Sequence, residues 1–248
     1  MASASDAEAR QVADLRRRAT EGHVGAQVIL GTLYESGQGV LPEDPVEAAS
    51  WYRRAAERGH RDAQLNLAMM YLDGRGVARD VAEAATWYRR SAEQGDSVAQ
   101  FSLGSILEAG ADTVAKDDAH AAAWYQKAAT QGLASAQYRL GVLYAEGRGV
   151  ARDLGQAGAW YRRAADQDDS DAQTSLGILL TPSEHAPGDI IEAHKWLNLA
   201  ASRGTHAARR ARAATLRDAL ATRMTPEERV EAQRRSIEWH DTEGVQRR

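Results

Sequence analysis

The sequence repeats itself, and the period of the repeat limits what the chain can fold into. The dipeptide Ala-Gln occurs at Ala26-Gln27, Ala63-Gln64, Ala99-Gln100, Ala136-Gln137 and Ala172-Gln173, at steps of 37, 36, 37 and 36 residues. Trp51, Trp87, Trp124, Trp160 and Trp196 keep a matching period, so five of the six tryptophans share one repeat position. A period of roughly 20–50 residues marks a chain of stacked units, none of which can bury its apolar face alone.

Each unit reads as two helices. In the first, Ala26, Leu30, Leu33 and Tyr34 fall at helical spacing and form one apolar stripe. A turn follows at Ser36-Gly37-Gln38-Gly39-Val40, and the second helix opens at Asp44-Pro45. Asp44 can accept from the free N–H groups of the first turn, and Pro45 suits the first helical position. Asp80, Asp117, Asp153 and Asp189 recur there. Glu47, Glu83, Gln156 and Glu192 follow three residues later, an arrangement like a capping box that His120 interrupts in the third repeat. The second helix carries Ala48, Trp51, Tyr52, Ala55 and Ala56 on one stripe. Gly59, Gly95, Gly132 and Gly204 fall where a left-handed residue is wanted, and Asp168 in that place is expected to end its helix less well.

Departures mark the ends and a soft spot. Gly110-Ala111-Asp112 replaces Gly-x-Gly in the third repeat, which predicts a looser turn, and Thr181 to Gly188 replaces it entirely in the fifth. Asp6–Glu21 aligns with the second half of a repeat but lacks Trp, as an N-terminal capping helix would. Ala207–Met224 reads as a long helix, and Thr225-Pro226-Glu227-Glu228 starts another that runs to about Trp239. The expectation is about thirteen helices and no strand. The domains are then a capping helix over 1–22, five repeats over 23–204 and a helical cap over 205–248.

The pattern A-Q-x-x-L-G-x-L-Y-x-x-G-x-G-V…D-x-x-x-A-x-x-W-Y-x-x-A-A-x-x-G resembles the Sel-one-like repeat, a branch of the tetratricopeptide superfamily. It is fullest at Ala136–Gly149 with Asp153–Ala165 and at Ala26–Gly39 with Asp44–Gly59, and it covers about Val24 to Gly204. The tail from Arg223 through Arg234 is similar to those of bacterial members. The resemblance implies an all-α fold, a right-handed α/α solenoid with first helices on the concave side. It also implies a non-catalytic role in holding other proteins.

Other chemistry finds little support. Cys is absent, so disulfides, thiolate zinc sites, iron–sulfur clusters and cysteine nucleophiles are excluded. No apolar run approaches the ~20 residues that span a bilayer. The start of the sequence lacks a basic region followed by an apolar stretch, so the expectation is a cytoplasmic protein. The Gly37/Gly39, Gly74/Gly76 and Gly147/Gly149 turns follow helices rather than strands and lack the Gly-Lys-Ser/Thr of a phosphate loop. The seven His are scattered, with His23 and His60 at equivalent cap positions. Thr113-Val114-Ala115-Lys116 is the sole segment resembling Ser-x-x-Lys, and the Asp117-Asp118 and Asp168-Asp169 pairs suit helix ends. The expectation is no enzyme, no cofactor and no metal. The recurring Trp-Tyr pairs and the recurring Gln read as packing residues.

Arg203–Arg248 holds 11 basic and 7 acidic residues, +4 within a chain of net −4, so the remainder carries −8. Arg209, Arg210, Arg212, Arg217 and Arg223 concentrate on one helix. Without aromatic interleaving this reads as a solvated or ion-paired face rather than a nucleic-acid site.

Positions that vary between repeats are the candidate site. Setting Leu-Gly-x-x-Tyr on the tetratricopeptide pattern implies that Val28, Leu65, Phe101, Tyr138 and Thr174 face the concave groove. One turn later come Thr32, Met69, Ser105, Val142 and Ile178. Such a row can grip a protein or peptide partner, or Phe101 and Tyr138 can simply lean on the neighbouring repeat. Glu35, Asp73, Glu108 and Glu146 border the row, which favours a basic or neutral partner. The function expected is a scaffold or regulator. The alternatives are a hydrolase of β-lactamase-like or cell-wall activity, which some family members suggest, and an immunity-type neutraliser of a toxin or enzyme.

Overall fold

A computed structural model describes residues 4–39, 41–111, 113–182, 189–204 and 206–246. Val40, Asp112 and Ser183–Gly188, all named above, lie outside the described residues. Thirteen helices and no strand are found among the described residues. They divide into two compact units, Met1–Ala128 and Ala129–Arg248.

The first unit holds α1 (Ala4–Thr20), α2 (Val24–Ser36), α3 (Pro45–Glu57), α4 (Arg61–Asp73), α5 (Val81–Glu93), α6 (Ser97–Ala109) and most of α7 (Asp118–Thr130). Helices α2 and α3 pack as a pair, as do α4 and α5, and α3 on α4 and α5 on α6 join the pairs. The second unit holds α8 (Ala134–Glu146), α9 (Leu154–Ala165), α10 (Ser170–Leu180), α11 (Ile190–Arg203), α12 (Ala207–Ala221) and α13 (Pro226–Gln246). Here α8 pairs with α9 and α10 with α11, while α12 and α13 pack on α11.

The starts of the second helices fall at the recurring Asp. Asp44 accepts from the N–H groups of Val46 and Glu47, Asp80 from Ala82 and Glu83, Asp153 from Gln156, and Asp189 from Ile191 and Glu192. At four of the recurring Asp the N–H that a reciprocal capping box would use is already taken by the preceding helix: Asp44 donates to Tyr34 O, Asp80 to Tyr71 O, Asp117 to Leu107 O and Asp153 to Tyr144 O, at 2.8–2.9 Å. His120 does not break the cap of α7. Its N–H donates to Asp117 Oδ1 at 2.9 Å, and its ring Nδ1 lies 2.6 Å from Asp117 Oδ2.

Several ends differ from the sequence expectation. Gly59, Gly95 and Gly132 are left-handed, as expected, but Gly204 has φ −51°. Its glycine serves close approach instead, since a Cβ there would lie 2.9 Å from Ala200 O. Asp168 does take the left-handed conformation, φ 70°, stabilised by a bond from Gln173 Nε2 and an ion pair with Arg203. Across the third-repeat turn, Ala111 and Val114 exchange backbone hydrogen bonds of 3.0 and 2.8 Å. α12 ends at Ala221, and α13 continues past Trp239 to Gln246.

Helix α1 packs as the missing half-repeat would. Arg16 donates to Tyr34 Oη, just as Arg53, 37 residues on, donates to Tyr71 Oη. At the other end Trp239 of α13 meets Trp196 edge-on at 5.9 Å, while Leu220, Met224 and Ala232 close over Leu197.

Candidate partner-binding surface

The constant positions of the repeat are spent on packing. Trp51, Trp87, Trp160 and Trp196 are buried and Trp124 half-buried. The cation three residues later lies over each of the first four rings: Arg54, Arg90, Lys127 and Arg163, at 3.9–4.4 Å from the centroid. The sequence signal for these contacts, Trp-x-x-Arg/Lys, is plain once the packing is known, though periodicity in apolar residues alone passes over it.

The recurring Gln ties each first helix to the helix before it. Nε2 of Gln27, Gln64, Gln100, Gln137 and Gln173 donates to the carbonyl eight residues back, from Ala19, Ala56, Ala92, Ala129 and Ala165, at 3.0–3.3 Å. Each of these carbonyls also accepts one backbone N–H from the turn that follows, from Gly22, Gly59, Gly95, Gly132 and Asp168 in order, so the Gln takes its second acceptor position. Gln94 Nε2 then donates to Gln64 Oε1 at 2.7 Å, and Gln167 to Gln137 at 2.8 Å. At the equivalent positions in the first and last repeats stand Arg58 and Arg203, and there the buried Oε1 of Gln27 and of Gln173 has no partner among the described residues.

Glu35 and Glu108 each reach a tyrosine of their own repeat, Glu108 buried and Glu35 half-buried and also paired with Arg75. Tyr52 donates to Glu35 Oε2 at 2.8 Å and lies 3.1 Å from Thr32 Oγ1. Tyr125 repeats this with Glu108 at 2.8 Å and Ser105 at 3.1 Å. Burial, with Glu35 adding to it, pushes the Tyr52 phenol up to about 12. The second and fourth repeats replace the acid by Leu72 and Ala145 and the hydroxyl by Met69 and Val142. Asp73 and Glu146 are therefore one position further along than Glu35 and Glu108, and the four acids do not form one row. Glu146 is itself paired with Arg148.

In the first unit Met69 is exposed (45%), Val28, Leu65, Phe101 and Ser105 are half-buried, and Thr32 is exposed with its hydroxyl against Tyr52. The Phe101 ring lies 5.6 Å from that of Tyr125 of its own repeat, tilted by 41°. In the second unit Ile178 is exposed (44%), and Tyr138, Val142 and Thr174 are half-buried. The Tyr138 ring lies 5.9 Å from Tyr161 of its own repeat, and burial next to Asp171 raises its phenol. Tyr138, Thr174 and Ile178 line a pocket of about 260 Å³ with Arg139, Asp171, Ser175, Arg209 and Arg212. Ile178 also lines an apolar cavity of about 390 Å³ with Leu197, Leu216 and Leu220.

Most of the basic residues of α12, and Arg223 just beyond its end, are engaged within the second unit. Arg209 pairs with Asp171, Arg210 donates to Gly204 O, Arg217 to Asn198, and Arg223 to Pro182 O. Arg212 has no ion-pair partner among the described residues. Of the candidate catalytic groups, His120 meets Asp117 at the start of α7 and Lys116 pairs with Asp118. His60 and Asp169 cap helices, His23 stands at a cap without a side-chain bond, and Thr113–Lys116 lies on the third-repeat turn. Among the described residues no group of three or more His, Asp or Glu could hold a metal ion, and no helix is long and apolar enough to cross a membrane.

A fold of paired helices with a conserved internal scaffold and a variable first-helix face defines a helical repeat protein. The Sel1 repeat family matches at residues 24–60, 61–96, 97–133, 134–169 and 170–205, and the chain belongs to that family. It is similar to the crystal structure of a Sel1 repeat protein from Oxalobacter formigenes, with 32% identity, 76% of each chain covered and a TM-score of 0.70. A protective antigen of uropathogenic Escherichia coli with the same type of fold, c5321, is 26% identical over 92% of this chain and 63% of its own, with a TM-score of 0.46. The immunity protein Pa5087 from Pseudomonas aeruginosa is 21% identical over 92% of this chain and 82% of its own, with a TM-score of 0.44. Comparison with curated proteins gave no match. Sel1 repeat proteins typically mediate protein–protein interaction.

Proposed function

We propose that the chain is a non-catalytic scaffold or regulator that holds a partner protein or peptide against the first-helix faces of its repeats, within 23–204. The observation that supports this reading most is the inequality between repeat positions. Trp, Tyr, Gln and Gly are committed to internal contacts, whereas Met69 and Ile178, at one equivalent position, leave nearly half of a large apolar side chain in water. Met adapts to apolar partners of varied shape, and in each unit an exposed apolar side chain on a first helix that also carries a half-buried apolar or aromatic residue is what an interface needs.

The test uses Met69→Ser together with Ile178→Ser, because neither side chain is part of a core. Partner recovered by affinity capture from the native cell, quantified by mass spectrometry, is expected to fall by ~2 kcal/mol or more in affinity, about thirtyfold, with thermal unfolding near wild type. Undiminished capture would reject the surface. Turnover of a β-lactam or ester by the purified chain would reject the non-catalytic reading.

A further inference from the structure

We propose that the pocket formed by α8, α10 and α12 recognises a partner segment presenting a carboxylate next to a large apolar side chain. The inference rests on the protein-binding reading and specifies the chemistry of the partner in the second unit.

Charge is the first argument. Arg209 and Arg212 line a space whose own carboxylate is Asp171, beside an Arg139 that is engaged elsewhere and with Asp169 close to Tyr138 but occupied as the cap of α10. Asp171 engages Arg209, yet a guanidinium carries five donors and one carboxylate takes two at most. Arg212 is exposed and has no ion pair among the described residues. An incoming carboxylate therefore meets a guanidinium whose pairing is not already met, and it can be bound in the two-bond geometry that Arg favours.

Size and neighbourhood supply the second argument. About 260 Å³ lies below the ~300–1,000 Å³ of small-molecule sites and suits one or two side chains of a passing segment. Ile178 forms a wall of this pocket and also of the adjoining apolar cavity of about 390 Å³. A ligand that fills both places an acid and an apolar group side by side. A nucleic-acid backbone would bring phosphate but nothing for Leu197, Leu216 and Leu220, so a peptide is the better match. Of the four acids expected to repel such a partner, Glu146 is the one in the second unit, and it is paired with Arg148.

The experiment selects a displayed random peptide library on the full chain. Enriched sequences are expected to join Asp or Glu to Leu, Ile, Phe or Trp. A synthetic amidated peptide from that pool should bind at least ~10-fold more weakly to Arg212→Gln, and its binding to the wild-type chain should weaken as salt is raised. Arg212→Glu, used as selection target, should lose the acidic preference. Enriched sequences that are basic or uncharged, or an acidic preference that survives Arg212→Glu, overturn the inference. If those sequences still depend on Ile178, the partner-binding reading stands without it; if they depend on neither Ile178 nor Met69, that reading fails as well. A selection that enriches single-stranded DNA aptamers with Arg212-dependent affinity, but no peptide, also overturns it.

Discussion

Gly104 lets the Tyr125 ring lie flat against α6, and the same approach occurs at Gly31 with Tyr52 and Gly141 with Tyr161. A Cβ at Gly104 would stand 2.8 Å from Tyr125 Cε1 and 3.3 Å from Ala121 O. The ring cannot readily retreat, because it is fully buried and its hydroxyl is held by Glu108 and Ser105. Gly104→Ala gains up to ~1 kcal/mol of helix propensity and incurs ~1–3 kcal/mol of overpacking. The net expectation is a loss of ~1–2 kcal/mol in urea unfolding; a stabilised variant would show that the ring moves freely. The second repeat carries Ala68 here, opposite Tyr88. That tyrosine lacks the acid and hydroxyl of its own repeat, Leu72 and Met69 standing there, and meets Ser102 instead. Periodicity displayed all of these residues as recurring; only the three-dimensional pairing separates tethered tyrosines from untethered ones.

At the scale of the helix, starts were legible and ends only in part: Gly59, Gly95 and Gly132 take the left-handed conformation as expected, whereas Gly204 does not. An N-cap is a contact between a side chain and N–H groups two or three residues away, so Asp44, Asp80, Asp153 and Asp189 announce it locally. Asp80→Ala is expected to lower stability by ~0.5–2 kcal/mol, as it removes the acceptor for Ala82 and Glu83. Asp118→Ala, at the first residue of α7 rather than its cap, should cost less; equal losses in chemical denaturation would reject the assignment. Thr225 closes a complete box, accepting from Glu228 N while Glu228 Oε2 accepts from Thr225 N, because no carbonyl of a preceding helix claims that N–H. Ends depend on what the next element offers. Gly204 is set by contact with Ala200 and Arg210, and α13 runs on past a Trp239 that packs on Trp196. Neither contact has a local signature.

For the whole chain, fold class and repeat register followed from the 36–37-residue period, while the chemistry of the surface did not. Four acids spaced at similar intervals looked like one border, although Glu35 and Glu108 each reach a tyrosine and Asp73 and Glu146 occupy a different position. A one-residue difference in register is invisible without knowing which side chain each tyrosine reaches. Those tyrosines give the chain a shared response to alkali. Burial raises the phenols of Tyr52, to about 12, and of Tyr88, Tyr138 and Tyr161 above their ordinary value of 10. Between about pH 10 and 12 the unfolded chain has lost phenolic protons that the folded chain still holds. The folded state then binds more protons, so stability falls as pH rises, by up to ~1.4 kcal/mol per pH unit for each such group, and is unaffected by them below about pH 9. Denaturant midpoints measured across that range should drop steeply above about pH 10, with tyrosine absorbance changing as the chain unfolds. Tyr52→Phe loses the bonds to Thr32 and Glu35, about 1 kcal/mol at neutral pH, yet should show a shallower alkaline decline. A midpoint that stays level to about pH 11, or a decline unchanged by Tyr52→Phe, would mean that these phenols ionise in the folded chain as readily as in the unfolded one.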